Sequence, residues 1–134
     1  MIVHHEGAIA MVEPVLAESE RPELRQMAEA IIAAQQTEVE QMRAWRAEWY
    51  PDLAETMGMD MGQMEIDADE PKPFDQHFLE AMIDHHEGAV GVAEAALDNA
   101  EHEELRSMSE EIIAAQQAEI DQMRGWLSEW FGVQ

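Results

Sequence analysis

The chain has 134 residues and a formal net charge of -23, from 30 acidic side chains against 7 lysines and arginines. This length suits one domain with a single core. The charge repels nucleic acid phosphates and anionic headgroups, so we exclude nucleic acids as partners and expect cations, although a merely solvated surface would also be acidic. The chain has no cysteine, which excludes disulfides and thiolate metal sites. No apolar run reaches the roughly 18 residues that a membrane span needs.

An internal repeat organises the sequence. Residue n matches residue n+81 without gaps over residues 1–50 and 82–131, and 28 of these 50 pairs are identical. The repeats share "HHEGA", "ELR", "IIAAQQ" and "QMR". This similarity indicates a duplicated unit rather than chance.

Each repeat predicts two helices joined by a short connection, which is an αα-hairpin. Proline suits the first turn of a helix, so Pro22 marks the start of a long helix. We therefore predict an all-α, ferritin-like four-helix bundle built from two duplicated αα-hairpins. The expected first helices end near Leu16 and Leu97, and the expected second helices run from about Pro22 to Trp49 and from about Glu103 to Trp130. A single domain would span 1–134, with the first hairpin at 1–50, an acidic linker at 51–73 and the second hairpin at 74–134.

Two adjacent histidines lie near the start of each repeat, in "MIVHHEGA" at residue 1 and "MIDHHEGA" at residue 82. They occur among apolar residues at helical spacings of three and four, whereas Glu87 falls on the polar face. All four histidines are therefore expected to face the core. In the second repeat one row is Phe78, Met82, His85, Ala89, Val92 and Ala96, and the adjacent row is Leu79, Ile83, His86, Val90, Ala93 and Leu97.

The core row of each long helix contains a polar interruption, at Gln35 and Glu38 and again at Gln116 and Glu119. An unpaired carboxylate in a core costs on the order of several kcal/mol. Glu38 therefore needs a protonated histidine or a metal ion as its partner on the facing helix. The remaining members of these rows are predicted to be core, and they are Leu24, Met27, Ile31, Met42, Trp45, Trp49, Leu105, Met108, Ile112, Met123, Trp126 and Trp130.

Two interpretations of these polar groups are open. In the first, the glutamates hydrogen-bond to the histidines and fix helix register without a ligand. In the second, they bind a metal ion, and imidazole with thioether favours copper over zinc or iron, because methionine suits Cu(I) and neutral histidine accepts both oxidation states. One shared site and two separate sites are both open. The candidate ligands are His4, His5, His85, His86, Glu38, Glu119, Met1 and Met82.

The linker contains four methionines in the eight residues "MGMDMGQM". Methionine often fills gaps in a core. Here no helical row is available for packing, so capture of Cu(I) is the alternative interpretation. The residues concerned are Met57, Met59, Met61 and Met64.

The motifs resemble those of a known family. The stretches "FDQHFLEAMIDHHEGAVGVAEAAL" and "EELRSMSEEIIAAQQAEIDQMRGWL", with their counterparts at 1–45, are similar to the secreted bacterial His-His proteins known as domain of unknown function 305. The resemblance implies a ferritin-like bundle, export to the periplasm or the cell exterior, and copper binding in some relatives. It implies His4, His5, His85 and His86 as ligands, with Met1 and Met82 as additions. The first repeat lacks the Phe and Asp lead-in, so we expect a preceding segment, such as a secretion signal, to be absent here.

The leading hypothesis is therefore an exported protein that sequesters or carries copper. The alternative is a structural or interaction bundle whose His and Glu network only fixes packing, and a homo-oligomer is compatible with either. We predict no enzymatic activity, because no nucleophile elbow or phosphate-binding glycine loop is present. Di-iron bundles place Glu-x-x-His on their helices, whereas this chain has Gln35-x-x-Glu38 and Gln116-x-x-Glu119.

Overall fold

The computed structural model describes residues 1–51 and 73–133, and its regular structure within these ranges is entirely helical. The prediction of an all-α chain with four helices is confirmed. The predicted linker lies outside the described residues except for its terminal prolines, and so do its four methionines. The helices are α1 (Ile2–Glu18), α2 (Pro22–Trp49), α3 (Phe74–Asn99) and α4 (Glu103–Phe131).

The helix ends follow from the local sequence. Pro22 is the first residue of α2, after an extended Arg21 with φ -82° and ψ 117°, and it loses no hydrogen bond there because the first turn has free N–H groups. Helix α4 ends at Phe131 and is followed by Gly132, whose φ of 66° is left-handed and therefore favours glycine. Its N–H donates to the Ser128 carbonyl oxygen at 3.1 Å. The predicted helix boundaries agree with these ends to within two residues.

Helix α1 packs against α2, and α3 packs against α4, so each repeat is an αα-hairpin as predicted. The chain divides into two compact units, one around each hairpin. The methionines predicted for the core are buried in both. In the first hairpin the buried side chains include Val12, Leu24, Met27, Ile31, Val39 and Met42, and in the second they include Phe78, Leu79, Ile83, Met108, Ile112, Ile120 and Met123.

Several residues placed in the core rows are not fully buried. Val92 was placed in a core row but is 40% exposed, whereas Ala93 of the adjacent row is buried at 0% exposure, as predicted. A row built on alternate spacings of four and three repeats every 3.5 residues, so it drifts by about 20° per heptad around a helix with 3.6 residues per turn. Four further members of the rows are half-buried rather than core, namely Val90, Ala96, Leu97 and Leu105. The tryptophans at the ends of α2 and α4 are also half-buried. The tryptophan rings stack in pairs instead, with ring centroids 5.4 Å apart for Trp45 and Trp49 and 5.1 Å apart for Trp126 and Trp130.

Among the described residues, no helix combines the length and the apolar character required to cross a membrane.

Two substitutions within α3 test this assignment of the core. Leu79 is 0% exposed, so Leu79→Ala should lower the free energy of unfolding by about 2 to 5 kcal/mol through lost burial and the cavity left behind. The matched control Val92→Ala should change it by less than about 0.5 kcal/mol, because the side chain already contacts water. Urea unfolding of the two variants measures both values, and similar losses would contradict the assignment.

Candidate metal centre

The paired histidines lie on the buried faces of α1 and α3, but the members of each pair differ in burial. His5 and His86 are both 0% exposed and His85 is 5% exposed, whereas His4 is half-buried. Consecutive side chains on a helix point about 100° apart, so the two histidines of a pair cannot face the core equally. In each hairpin it is the second histidine of the pair that is completely buried. The expectation that the histidines face the core therefore holds most strongly for His5 and His86.

Each fully buried imidazole contacts a glutamate of the facing helix. In the first hairpin Nε2 of His5 hydrogen-bonds to Oε2 of Glu38, and in the second hairpin Nε2 of His86 hydrogen-bonds to Oε2 of Glu119. Both partners lie 33 residues apart in sequence, so the two hairpins repeat the same contact. The glutamate side chains are 23% and 24% exposed, and their carboxyl groups thus lie between the core and water.

This contact assigns different roles to the two nitrogens of a neutral imidazole ring. An ionised carboxylate only accepts hydrogen bonds, so the ring must donate through Nε2–H, and a neutral ring then carries its lone pair on Nδ1. In both His5 and His86, Nδ1 is buried and has no hydrogen-bond partner among residues 1–51 and 73–133. Buried polar atoms are nearly always satisfied in folded proteins. These two nitrogens are therefore the atoms of the site that most need a ligand.

A glutamine adds a second atom of this kind to each hairpin. Gln35 is 3% exposed and Gln116 is 4% exposed, and Oε1 of each has no partner in the described part of the chain. Each glutamine precedes the pairing glutamate by three residues, so their Cβ atoms are neighbours at about 5 to 6 Å on the helix surface. The sequence had marked these glutamines as an interruption of the core row but had assigned them no role.

An exposed ion pair flanks each buried contact. Nη2 of Arg43 donates to Oε1 of Glu6 in the first hairpin, and Nη2 of Arg124 donates to Oε1 of Glu87 in the second. The sequence correctly placed Glu87 on the polar face but missed its arginine partner, although the repeated "QMR" was the available signal. These pairs join the two helices of a hairpin beside the fully buried histidine.

The two methionines predicted as ligands differ in burial. Met82 is 0% exposed, Met1 is half-buried, and each precedes the fully buried histidine of its repeat by four residues. Among the described residues, no three His, Cys, Asp or Glu side chains are grouped so that they could hold a metal ion. Histidine and glutamate side chains therefore come together only in pairs within the described residues. A metal ion bound there would need methionine thioethers or glutamine amides as additional ligands.

Comparison with known proteins places this arrangement in a family context. The sequence profile of a domain of unknown function, DUF305, matches residues 1–127. The structure of CopM in its Cu(I)-bound form is 35% identical with a TM-score of 0.87, and the match covers 98% of this chain and 93% of that chain. CopM has also been solved in Cu(II)-bound and Ag-bound forms. This likeness over nearly the whole chain supports the predicted four-helix bundle.

Two further structures carry the family's designation. A DUF305 fragment from Deinococcus radiodurans is 28% identical with a TM-score of 0.77, covering 96% of this chain and 91% of that chain. A DUF305 protein from Streptomyces coelicolor, described as secreted, is 25% identical with a TM-score of 0.80, covering 96% of this chain and 88% of that chain. No curated protein matches the chain.

A double-mutant cycle on the second hairpin measures the strength of the buried contact. The cycle of His86→Ala and Glu119→Ala should give a coupling free energy of about 1 to 3 kcal/mol, because the hydrogen bond involves a charged group and a fully buried ring. The cycle of Glu87→Ala and Arg124→Ala should give less than about 1 kcal/mol, since that pair is solvent-exposed. Urea unfolding supplies both values, and the reverse order would contradict the description of the site.

Proposed function

The chain belongs to the DUF305 family, and from that premise we propose that it binds copper ions and sequesters or carries them outside the cytoplasm. The observation that supports this most directly is the buried Nδ1 of His5 and of His86, which has no partner among the described residues. A buried lone pair on an imidazole is a metal ligand that is already oriented. CopM, which is 35% identical over 98% of this chain, was solved in a Cu(I)-bound form.

The donor types fit copper better than other common ions. Imidazole nitrogen binds Cu(I) and Cu(II), and the thioether of methionine selects Cu(I). Helical spacing puts Met82 one turn before His86 on the same face, and both are 0% exposed. The residues that would hold copper are His5 and His86, with His4, His85, Met1 and Met82 as further donors.

The surface and the family support a role outside the cytoplasm. The formal charge of -23 raises the local concentration of cations around the protein. The Streptomyces coelicolor relative is described as a secreted protein. We propose the same location for this chain, and a binding role without catalysis.

A structural module is the second candidate function. The observation that favours it is the pairing of each buried histidine with a single glutamate, with no group of three His, Cys, Asp or Glu donors in the described residues. Such a pair fixes the register of two helices without a ligand. This candidate predicts a dependence of stability on the histidines and no dependence on copper.

Copper titration tests the binding function. The wild-type chain should bind Cu(I) and Cu(II). The variant with His4, His5, His85 and His86 changed to alanine should bind copper at least about 100-fold more weakly. Loss of a residue that only supports a metal ligand already lowers metal affinity by about 10- to 100-fold, and loss of the ligands themselves should lower it at least as much. Competition with a chelator of known affinity measures the change.

The matched control is His102→Ala, since His102 precedes α4 and lies outside both histidine pairs. It should bind copper as the wild type does. Equal copper affinity in the wild type and the four-histidine variant would refute the proposed ligands.

Thermal unfolding separates the two candidate functions. A ligand that binds only the folded state stabilises it by about 2.7 kcal/mol at 100 times its Kd, so Cu(I) should raise the Tm of the wild type and not that of the four-histidine variant. A structural module predicts instead that the variant melts at a lower temperature and that copper leaves the Tm of both proteins unchanged.

A further inference from the structure

We propose that Glu38 and Glu119 are positioning residues rather than copper ligands. They hold His5 and His86 in the Nε2–H tautomer, so that each hairpin presents one Nδ1 atom as its metal-binding nitrogen. The inference rests on the proposed function, and it specifies which atoms bind the ion and how many equivalent sites the chain contains. It also assigns the core-facing glutamates a role different from the ligand role expected from the sequence.

The two nitrogens of the buried ring differ in their partners. Nε2 of His86 is taken by Oε2 of Glu119 on the facing helix, and Nδ1 of the same ring is buried without a partner among the described residues. If Oε2 of Glu119 bound the metal instead, a ring that is 0% exposed would lose its only described partner. Leaving a buried polar atom unsatisfied costs about 1 to 3 kcal/mol. The arrangement is more favourable when the glutamate stays on Nε2.

Imidazole matches Cu(I) as a donor better than carboxylate oxygen does. Cu(I) prefers soft sulfur and imidazole donors, whereas carboxylate oxygens suit hard cations. Histidines that bind metals usually donate their other ring N–H to a carboxylate or carbonyl, which fixes the tautomer and raises the basicity of the binding nitrogen. The contacts of His5 with Glu38 and of His86 with Glu119 have this form.

Nδ1 of His86 lies on the side of the ring that is nearer to its own helix, α3. Nδ1 is the ring nitrogen nearer to Cβ, so it lies closer to α3 than Nε2, which reaches across to α4. Met82 lies on α3, one turn before His86, and is 0% exposed. Side chains four residues apart on a helix are neighbours. The thioether and Nδ1 can therefore serve one ion from the same helical turn while Glu119 remains on the far side of the ring.

The repetition of the contact sets the number of sites. Each hairpin contains its own buried histidine, its own pairing glutamate and its own buried glutamine, at positions separated by 81 residues. Oε1 of each glutamine has no partner among the described residues. Because the two hairpins are separate compact units, each carries the set without a residue from the other. We therefore expect two copper ions of this class per chain.

Nitrogen NMR of the metal-free chain tests the positioning role without any copper. Two-bond ¹⁵N–¹H spectra should show His5 and His86 as neutral Nε2–H tautomers. In Glu38→Gln and Glu119→Gln the amide can donate as well as accept, so the preference for that tautomer should weaken at the facing histidine. A proton on Nδ1 of either ring in the wild type would overturn the proposal.

Copper-loaded protein tests the ligand assignment. With Cu(I), which is diamagnetic, the Nδ1 resonances of His5 and His86 should shift while Nε2 keeps its proton. The Gln variants should still bind two ions, with affinity lowered by about 10- to 100-fold, and their Cu(II) EPR spectra should retain the nitrogen donor set of the wild type. A changed donor set, or copper shifts at Nε2, would show the carboxylates to be ligands.

Glu87→Gln is the matched control, because Glu87 adjoins His86 in sequence but pairs with the exposed Arg124. It should leave both the tautomer and the copper affinity of His86 unchanged. The two proposals fail in different ways. A wild-type chain that binds no copper refutes the proposed function and the two sites, and the tautomer spectrum still decides whether the glutamates position the rings.

Discussion

The hydrogen bond between a buried histidine and a glutamate of the facing helix is the constraint on which each hairpin depends. It fixes how α1 lies along α2 and how α3 lies along α4, because a slip of one helical turn, about 5.4 Å, would separate His5 from Glu38 or His86 from Glu119. The apolar residues around it tolerate such a slip better, since hydrophobic contact is non-directional. The polar pair thus adds specificity to a core whose stability comes from burial.

The same contact limits the chemistry of the site. It occupies one nitrogen of each ring, and the other is buried without a hydrogen-bond partner among the described residues, so the hairpin gains register and a candidate ligand from one interaction. The exposed pairs of Glu6 with Arg43 and Glu87 with Arg124 contribute little stability in water. The outer carboxylate of each hairpin thus contacts an arginine, whereas the inner one contacts the buried imidazole.

The sequence predicted the helices well and the detail of the site only in part. The repeat and Pro22 were sufficient to place all four helices, and the position of Glu38 in an apolar row was sufficient to predict a partner on the facing helix. Burial was harder to predict, because a 3.5-residue row drifts around a 3.6-residue helix and Val92 turns outward. Periodicity also identifies the face of a helix on which a residue lies, but not the contacts of its individual atoms. It therefore could not distinguish His5 from His4, or Nδ1 from Nε2. The contribution of 52–72 lies outside the described residues.

A crystal structure of the copper-loaded chain, with anomalous differences measured at the copper absorption edge, tests the account most directly. We expect copper peaks beside Nδ1 of His5 and Nδ1 of His86, with Glu38 and Glu119 still hydrogen-bonded to the Nε2 atoms. Copper bound to the carboxylate oxygens, or bound away from both histidines, would contradict it.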